Sequence, residues 1–301
     1  MNEMIASREQ VQLGRSGVKV TPVAWGMWRF AGHPVQHARA LVDTALSVGI
    51  TLFDTADIYG LGKGGFGSAE SLLGEILAEA PGLRDQIVLA TKGGIMPPAP
   101  YNSSADYLAQ AIDASLARLR VDWVDLYQIH RPDMLAHPQE VARALEDAVR
   151  AGKVRAIGVS NYTPAQARAL GSFLTVPLVS HQPEFSPLHI DPMISGLFDQ
   201  AMQDAMAVLA WSPLGGGRLI DPQEDRARNV TAVLSEVASE SGVDLAAAAY
   251  SWVMLHPARP IPIIGTQNPA RIEQVDQIWK VRWTRQRWYD VVRAVTGGPL
   301  P

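Results

Sequence analysis

Two patterns of apolar residues take turns along this chain. Short apolar runs with strand character alternate with longer stretches in which apolar positions return every three or four residues. A hairpin is predicted over Val11–Val20, turned at Arg15-Ser16-Gly17, followed by a strand over Pro22–Trp28 and a helix over Val35–Val48 that Gly49 stops. The run Ile50-Thr51-Leu52-Phe53 comes next, then helix Ser68–Ala80, strand Ile87–Thr91, helix Ala105–Arg118 behind a Ser103 or Ser104 cap, strand Val124–Ile129 and helix Pro138–Arg150 with Gly152 as its stop. The second half keeps the alternation with strand Val154–Val159, helix Pro164–Gly171, strand Leu178–His181, helix Pro192–Met206 and strand Ala207–Ala210. Helical stretches Val230–Ser241 and Leu245–His256, strand Ile261–Ile264 and helix Pro269–Gln277 complete it, and Trp283–Arg293 reads as one more amphipathic helix.

Eight strand-then-helix units in about 250 residues predict an α/β chain folded as a (β/α)8 TIM barrel, with the hairpin at its start and the last helix lying across it. An open doubly wound sheet is the alternative, but no Gly-x-Gly-x-x-Gly follows the first strand, where Gly26-Met27-Trp28 stands instead. No linker-like change of composition divides the chain, so residues 1–301 are expected to form a single domain. At 47% hydrophobic and 19% charged the composition is that of an ordinary globular protein, and a net charge of −4 gives no argument for nucleic acid or an anionic membrane. The chain has no cysteine, which excludes disulfides, thiolate zinc sites and a cysteine nucleophile. Met1–Gln10 lacks an apolar signal core and no run approaches a membrane span, so the cytoplasm is the expected location.

Candidate chemistry sits where the strands stop. Leu52-Phe53 ends in Asp54, the run Ile87–Thr91 ends in Lys92, and the strand through Ile129 ends in His130, while Tyr59 follows Asp54 by five residues. A buried carboxylate is costly without a cation, so Asp54 predicts a partner, and Lys92 is the best candidate. In a barrel these ends share one mouth, together with Gly26-Met27-Trp28, Ser160-Asn161, Gln182, Trp211-Ser212 and Gly265-Thr266. Proton transfer by Tyr59 fits this set: an adjacent Lys92 ammonium favours phenolate and is expected to lower the phenol pKa, Asp54 keeps Lys92 charged, and His130 can donate to a carbonyl. His181, His189 and His256 read as structural or surface residues, and no histidine–carboxylate cluster supports a metal.

The pattern Asp54-x-x-x-x-Tyr59, the strand-end Lys92 and His130 in Leu126-Tyr127-Gln128-Ile129-His130-Arg131-Pro132-Asp133 resemble the catalytic set of the aldo-keto reductase superfamily. The likeness continues through Gly152–Tyr162, Gln182, Trp211–Arg218 and Ile261–Thr266, and so spans Leu13 to about Gln277 in family order. It implies an oxidoreductase that reduces an aldehyde or ketone with NADPH, with Tyr59 as general acid, Asp54 and Lys92 as its tuning pair and His130 orienting the carbonyl. It further implies that Ser160, Asn161 and Gln182 bind the nicotinamide carboxamide and that Trp211 stacks on its ring. The loop Ser212-Pro213-Leu214-Gly215-Gly216-Gly217-Arg218 resembles the pyrophosphate clasp, and Thr266, Gln267 and Arg271 match the region that holds the 2′-phosphate. Gly26, Met27 and Gly265, at the ends of the first and last strands, are expected to complete the cofactor site, and Trp28, Phe66 and Trp123 are candidates for the substrate pocket.

The chain also departs from the pattern. Many family members carry a Lys-Ser pair just after the last strand's Ile-Pro, where this chain has Ile263-Ile264, which leaves Arg271 as the main argument for NADPH over NADH. The glycine-rich loop Leu61–Gly67 is expected to form a mobile flap near the mouth. Two other functions stay open at this point: a nucleotide-binding regulatory or scaffold subunit with negligible turnover, and a lyase using Lys92 as a Schiff-base nucleophile.

Overall fold

The computed structural model describes residues 3–298; Met1, Asn2 and residues 299–301, the outer ends of the expected domain, lie outside the described residues. A two-stranded antiparallel hairpin, β1 (Val11–Gln12) and β2 (Lys19–Val20), precedes β3 (Ala24–Gly26), α1 (Val35–Ser47), β4 (Leu52–Asp54) and α2 (Ser68–Glu79). Next come β5 (Val88–Gly93), α3 (Ala105–Leu119), β6 (Val124–Ile129), α4 (Pro138–Arg150), β7 (Val154–Ser160), α5 (Pro164–Gly171) and β8 (Leu178–Gln182). The chain ends with α6 (Asp191–Ile194), α7 (Leu197–Asp204), β9 (Ala207–Ala210), α8 (Asp225–Ser241), α9 (Leu245–Met254), β10 (Ile261–Ile264), α10 (Pro269–Glu273) and α11 (Arg285–Thr296). Strands β3 to β10 close into a parallel barrel in sequence order, with β10 paired to β3 and the helices outside.

The alternation of side chains along each strand builds two cores. Outward residues such as Trp25, Phe53, Leu89, Tyr127, Ile157 and Val208 pack against the helices. Inward residues are smaller: Ala24, Leu52, Ala90, Leu126, Ala156, Val179, Leu209 and Ile261 fill the barrel near its N-terminal end, and Leu13 and Val20 of the hairpin join them. Burying each of these two hairpin side chains stabilises the fold by about 1.5–3 kcal/mol. With this end filled, the opposite end is left for the polar residues that finish the strands.

Three expectations are corrected. The helix expected over Pro192–Met206 is two helices, α6 and α7, parted at Gly196, whose left-handed backbone (φ 79°) breaks the run. The helix expected over Pro269–Gln277 tightens into a 3-10 segment from Gln274. The last helix does not lie across the barrel. Thr284 caps α11 by accepting from the Arg287 N–H at 3.2 Å, Arg287 pairs with Glu236 and Glu240 of α8, and Trp288 stacks on Trp252 of α9 with ring centroids 5.0 Å apart. Its buried stripe, Val291, Val292 and Val295, is spent on the helical layer because the hairpin already fills the barrel's end.

Candidate active site

Asp54 ends β4, and Lys92 stands next to last in β5, so parallel pairing brings both to the C-terminal mouth. Lys92 is fully buried; its Nζ donates to Asp54 Oδ2 at 2.7 Å and to the carbonyl of Thr55 at 2.8 Å. Gln182, at the end of β8, donates from Nε2 to Asp54 Oδ1 at 2.9 Å, so both carboxylate oxygens are held. Burial pulls the Lys92 pKa down, but the Asp54 charge and the hydrogen bonds to Asp54 and Tyr59 outweigh it and hold it above its ordinary value. Lys92 is therefore an ammonium tied to acceptors, and it does not line the cleft. A Schiff-base nucleophile needs a free amine facing substrate, and this geometry speaks against that alternative.

Tyr59 stands over this pair, with Lys92 Nζ 4.9 Å from its ring centroid. Its ring meets His130 edge-on at 5.8 Å and Trp28 edge-on at 5.1 Å. The expected lowering of its pKa is corrected: burial pushes the phenol up, and the pull of Lys92, opposed by Asp54, does not offset it. Tyr59 is thus a protonated phenol at neutral pH. His130 is held well below the ordinary histidine range, by burial first and then by Lys92 and Arg131. It is neutral at pH 7, and its Nδ1 is buried without a partner among the described residues.

Around these four residues lies a cleft of about 1180 Å³. Ser160, Asn161, Gln182 and Trp211 line it together, in a fixed network. Asn161, in the left-handed region at φ 59°, donates from Nδ2 to the His130 carbonyl at 3.1 Å and to Ser160 Oγ at 2.8 Å, and its Oδ1 accepts from Trp211 Nε1 at 2.9 Å. Ser212, Pro213, Leu214, Gly216 and Gly217 form one wall. Gly216 and Gly217 have φ of 70° and 100°, and nothing lies within 4 Å of where a side chain would start, so their backbone faces open space. Gly26, Trp28, Gly265, Thr266, Gln267 and Arg271 also line the cleft, the loop after β10 being tied to β3 by Trp25 Nε1 donating to the Thr266 carbonyl at 3.0 Å.

Other residues singled out from the sequence stand elsewhere. Met27 is fully buried in the outer core, because the residue after Gly26 points toward the helices. Gly215 and Arg218 sit behind the wall, where Arg218 Nε donates to the Gly215 carbonyl at 2.8 Å instead of reaching into the cleft. Phe66 packs under Arg118, and no residue of Leu61–Gly67 lines the cleft. Trp123 precedes β6 and therefore lies at the barrel's other end, between the guanidinium groups of Arg84 (3.7 Å) and Arg155 (3.2 Å). Arg29, Arg131, Tyr250 and Asn268, to which the sequence pattern assigns no role, also line the cleft. Arg29 and Arg131 directly follow Trp28 and His130, and that adjacency to strand-end residues was the available signal; Tyr250, inside α9, offered none.

A model of the aldo/keto reductase family matches residues 22–295. The chain belongs to the aldo/keto reductase family. It is 57% identical over 293 residues to a 6-dehydroglucose reductase of Novosphingobium aromaticivorans, covering 96% of each chain, and 36% identical over 307 residues to a 6-dehydroglucose reductase of Agrobacterium fabrum, covering 98% of each. A solved thermostable aldo-keto reductase in complex with the inhibitor epalrestat has the same fold, with a TM-score of 0.81 at 24% identity over 95% of this chain and 99% of that one. This aldo/keto reductase is accordingly an oxidoreductase of a family that generally uses nicotinamide cofactors. Among the described residues no helix is long and apolar enough to cross a membrane, and no group of three or more histidine and acidic side chains could hold a metal ion.

Proposed function

We propose that this aldo/keto reductase reduces the aldehyde of an oxidised sugar to the alcohol with NADPH, with Tyr59 giving the proton. The observation that carries the reading is the buried Lys92 ammonium, fixed by Asp54 and Thr55 beside a protonated Tyr59 at the floor of the cleft. NADPH, when bound, supplies the hydride. The cleft fits a dinucleotide: Ser160, Asn161 and Gln182 would hold the carboxamide, Trp211 offers a flat ring whose edge Asn161 fixes, and the open backbone at Gly216 and Gly217 suits a pyrophosphate. At the far end Arg271 would take the 2′-phosphate, with Thr266 and Gln267, whose Oε1 is buried and unpartnered, beside the ribose.

The chain's own residues then divide the work. His130, neutral, donates to the carbonyl oxygen and fixes its orientation, while Tyr59 delivers a proton to the same oxygen as negative charge develops on it. Lys92 stabilises the phenolate left behind, and Asp54 prevents Lys92 from losing its own proton. The sugar comes to this chain from the relative at 57% identity, which is named for 6-dehydroglucose. The exposed indole of Trp28 beside Tyr59, with Arg131 as a donor across the mouth, supports a hydroxylated substrate whose C–H face lies on an aromatic ring.

Purified protein mixed with NADPH, or with NADH, and a panel of sugar, aliphatic and aromatic aldehydes tests the reading through the nicotinamide absorbance. Oxidation of NADPH fastest with the sugar aldehydes is expected; tight NADPH binding without consumption would favour a regulatory subunit instead. Arg271→Ala is expected to weaken NADPH about tenfold, as loss of a charged hydrogen bond worth about 1.5 kcal/mol, and to leave NADH unchanged in fluorescence titrations. Equal losses for both nucleotides would remove Arg271 from the 2′-phosphate.

A further inference from the structure

Next to Lys92, outside the lining of the cleft, lies a second buried charged cluster, whose other members the proposed chemistry does not use. It joins Asp57 of the turn after β4, Glu70 of α2, Thr91 and Lys92 of β5, Tyr107 and Arg118 of α3, and Tyr127 of β6. Glu70 is fully buried and takes a hydrogen bond from Thr91 Oγ1 at 2.5 Å and from Arg118 Nε at 2.7 Å. Asp57 is only 1% exposed; neither of its oxygens makes a well-formed hydrogen bond among the described residues, and the Tyr107 hydroxyl and the Ile58 N–H are the donors that face it. The space is closed: a Cβ on Gly93 would overlap the Tyr127 hydroxyl and stand 3.2 Å from Asp57 Oδ2.

The charges do not balance. Three carboxyl groups, Asp54, Asp57 and Glu70, face two cations, and each cation is already engaged, Lys92 by Asp54 and Arg118 by Glu70. An ionised Asp57 would be a buried anion beside another anion, an arrangement that favours keeping its proton. Its backbone is tied to the catalytic floor: the Asp57 N–H donates to the Lys92 carbonyl at 2.9 Å, and two residues on, the Tyr59 carbonyl accepts from the Ala69 N–H at 3.2 Å.

We propose that Asp57 is a positioning residue: a neutral carboxylic acid packed inside the turn whose backbone is tied to β5 and α2, so that its ionisation strains the Tyr59 turn and lowers turnover. The effect on turnover rests on the reductase reading given above; the buried proton does not. Burial, and then the charge of Glu70, push the Asp57 carboxyl up to about 8, against the pull of Arg118, the Ile58 N–H and Lys92. The phenols that face it are Tyr107, pushed up to about 12, and Tyr127, held well above the ordinary range, both by burial first and then by Asp57. Tyr59 and Lys92 titrate above this window and His130 below it.

The test compares wild type, Asp57→Asn and Asp57→Leu across pH 5 to 10 in saturating kcat and in thermal unfolding. The folded state binds this proton more tightly than the unfolded chain, whose carboxyl has the ordinary value of 3.8, so wild type loses stability as pH rises from about 4 to 8. The Tm of Asp57→Asn relative to wild type should therefore climb through pH 5 to 8 and level off above. In kcat, wild type should decline through an inflection near pH 8; Asp57→Asn should keep pH 7 turnover within about threefold and lack that inflection, and Asp57→Leu should lose about tenfold or more. A Tm difference that is flat with pH overturns the buried proton, and an unchanged alkaline inflection in Asp57→Asn overturns the positioning role. If no aldehyde consumes NADPH, the reductase reading fails, and the melting curves alone decide the proton.

Discussion

Tyr59→Phe is expected to lower kcat for aldehyde reduction by about 10²–10⁴-fold, the contribution of a positioned general acid, while NADPH affinity stays within about twofold. The substitution removes one oxygen and keeps the ring that packs against Trp28 and His130, so the cleft should keep its shape. Its cost therefore belongs in kcat more than in KM, because the proton is needed only as charge develops on the carbonyl oxygen. The pH dependence carries a second consequence. Burial holds the phenol above its ordinary value even beside Lys92, so wild-type Tyr59 stays protonated through neutral pH and can act as a donor there. Steady-state kinetics with a sugar aldehyde, together with NADPH titration by fluorescence, checks both halves. Wild-type-like turnover in Tyr59→Phe would falsify the assignment.

The barrel was readable from pattern because eight apolar runs alternate with eight amphipathic stretches, and parallel pairing then forces Asp54, Lys92 and His130 to one end. The same rule separates the two tryptophans proposed for the pocket. Trp123 and Trp28 both flank a strand, but one precedes β6 and the other follows β3, so they stand at opposite ends. What pattern could not carry was burial imposed by residues distant in sequence. Glu70 lies in the first turn of α2, where an acid is ordinarily solvated; here it is fully buried, and Arg118, 48 residues later, reaches it. Asp57 was passed over for a related reason: a carboxylate in a turn is ordinarily solvated, and its burial arises from three elements distant in sequence. The Lys92 charge beside Tyr59 is visible in the sequence, whereas desolvation, the larger effect, arises only in the folded protein.

Lys92→Met is expected to damage stability and turnover through different atoms. Asp54 is only 2% exposed, and without Lys92 it keeps a single side-chain donor, Gln182 Nε2. Leaving that carboxylate uncompensated should cost about 3–5 kcal/mol, and at about 2–4 °C per kcal/mol for a chain of this size class the Tm should fall by roughly 6–20 °C. Turnover should fall at least about 10²-fold, because the phenolate formed when Tyr59 gives up its proton loses its only adjacent ammonium among the described residues. The double substitution Asp54→Asn/Lys92→Met separates the two effects. With the stranded charge removed, most of the Tm should return, since an ion pair replaced on both sides costs much less than one broken on one side. Turnover should not return, because the neutral pair offers Tyr59 no charge. Recovery of both together would mean that Lys92 serves the fold and not the proton transfer. A double variant as unstable as Lys92→Met would place the loss in the Thr55 carbonyl, which the Lys92 ammonium also satisfies at 2.8 Å.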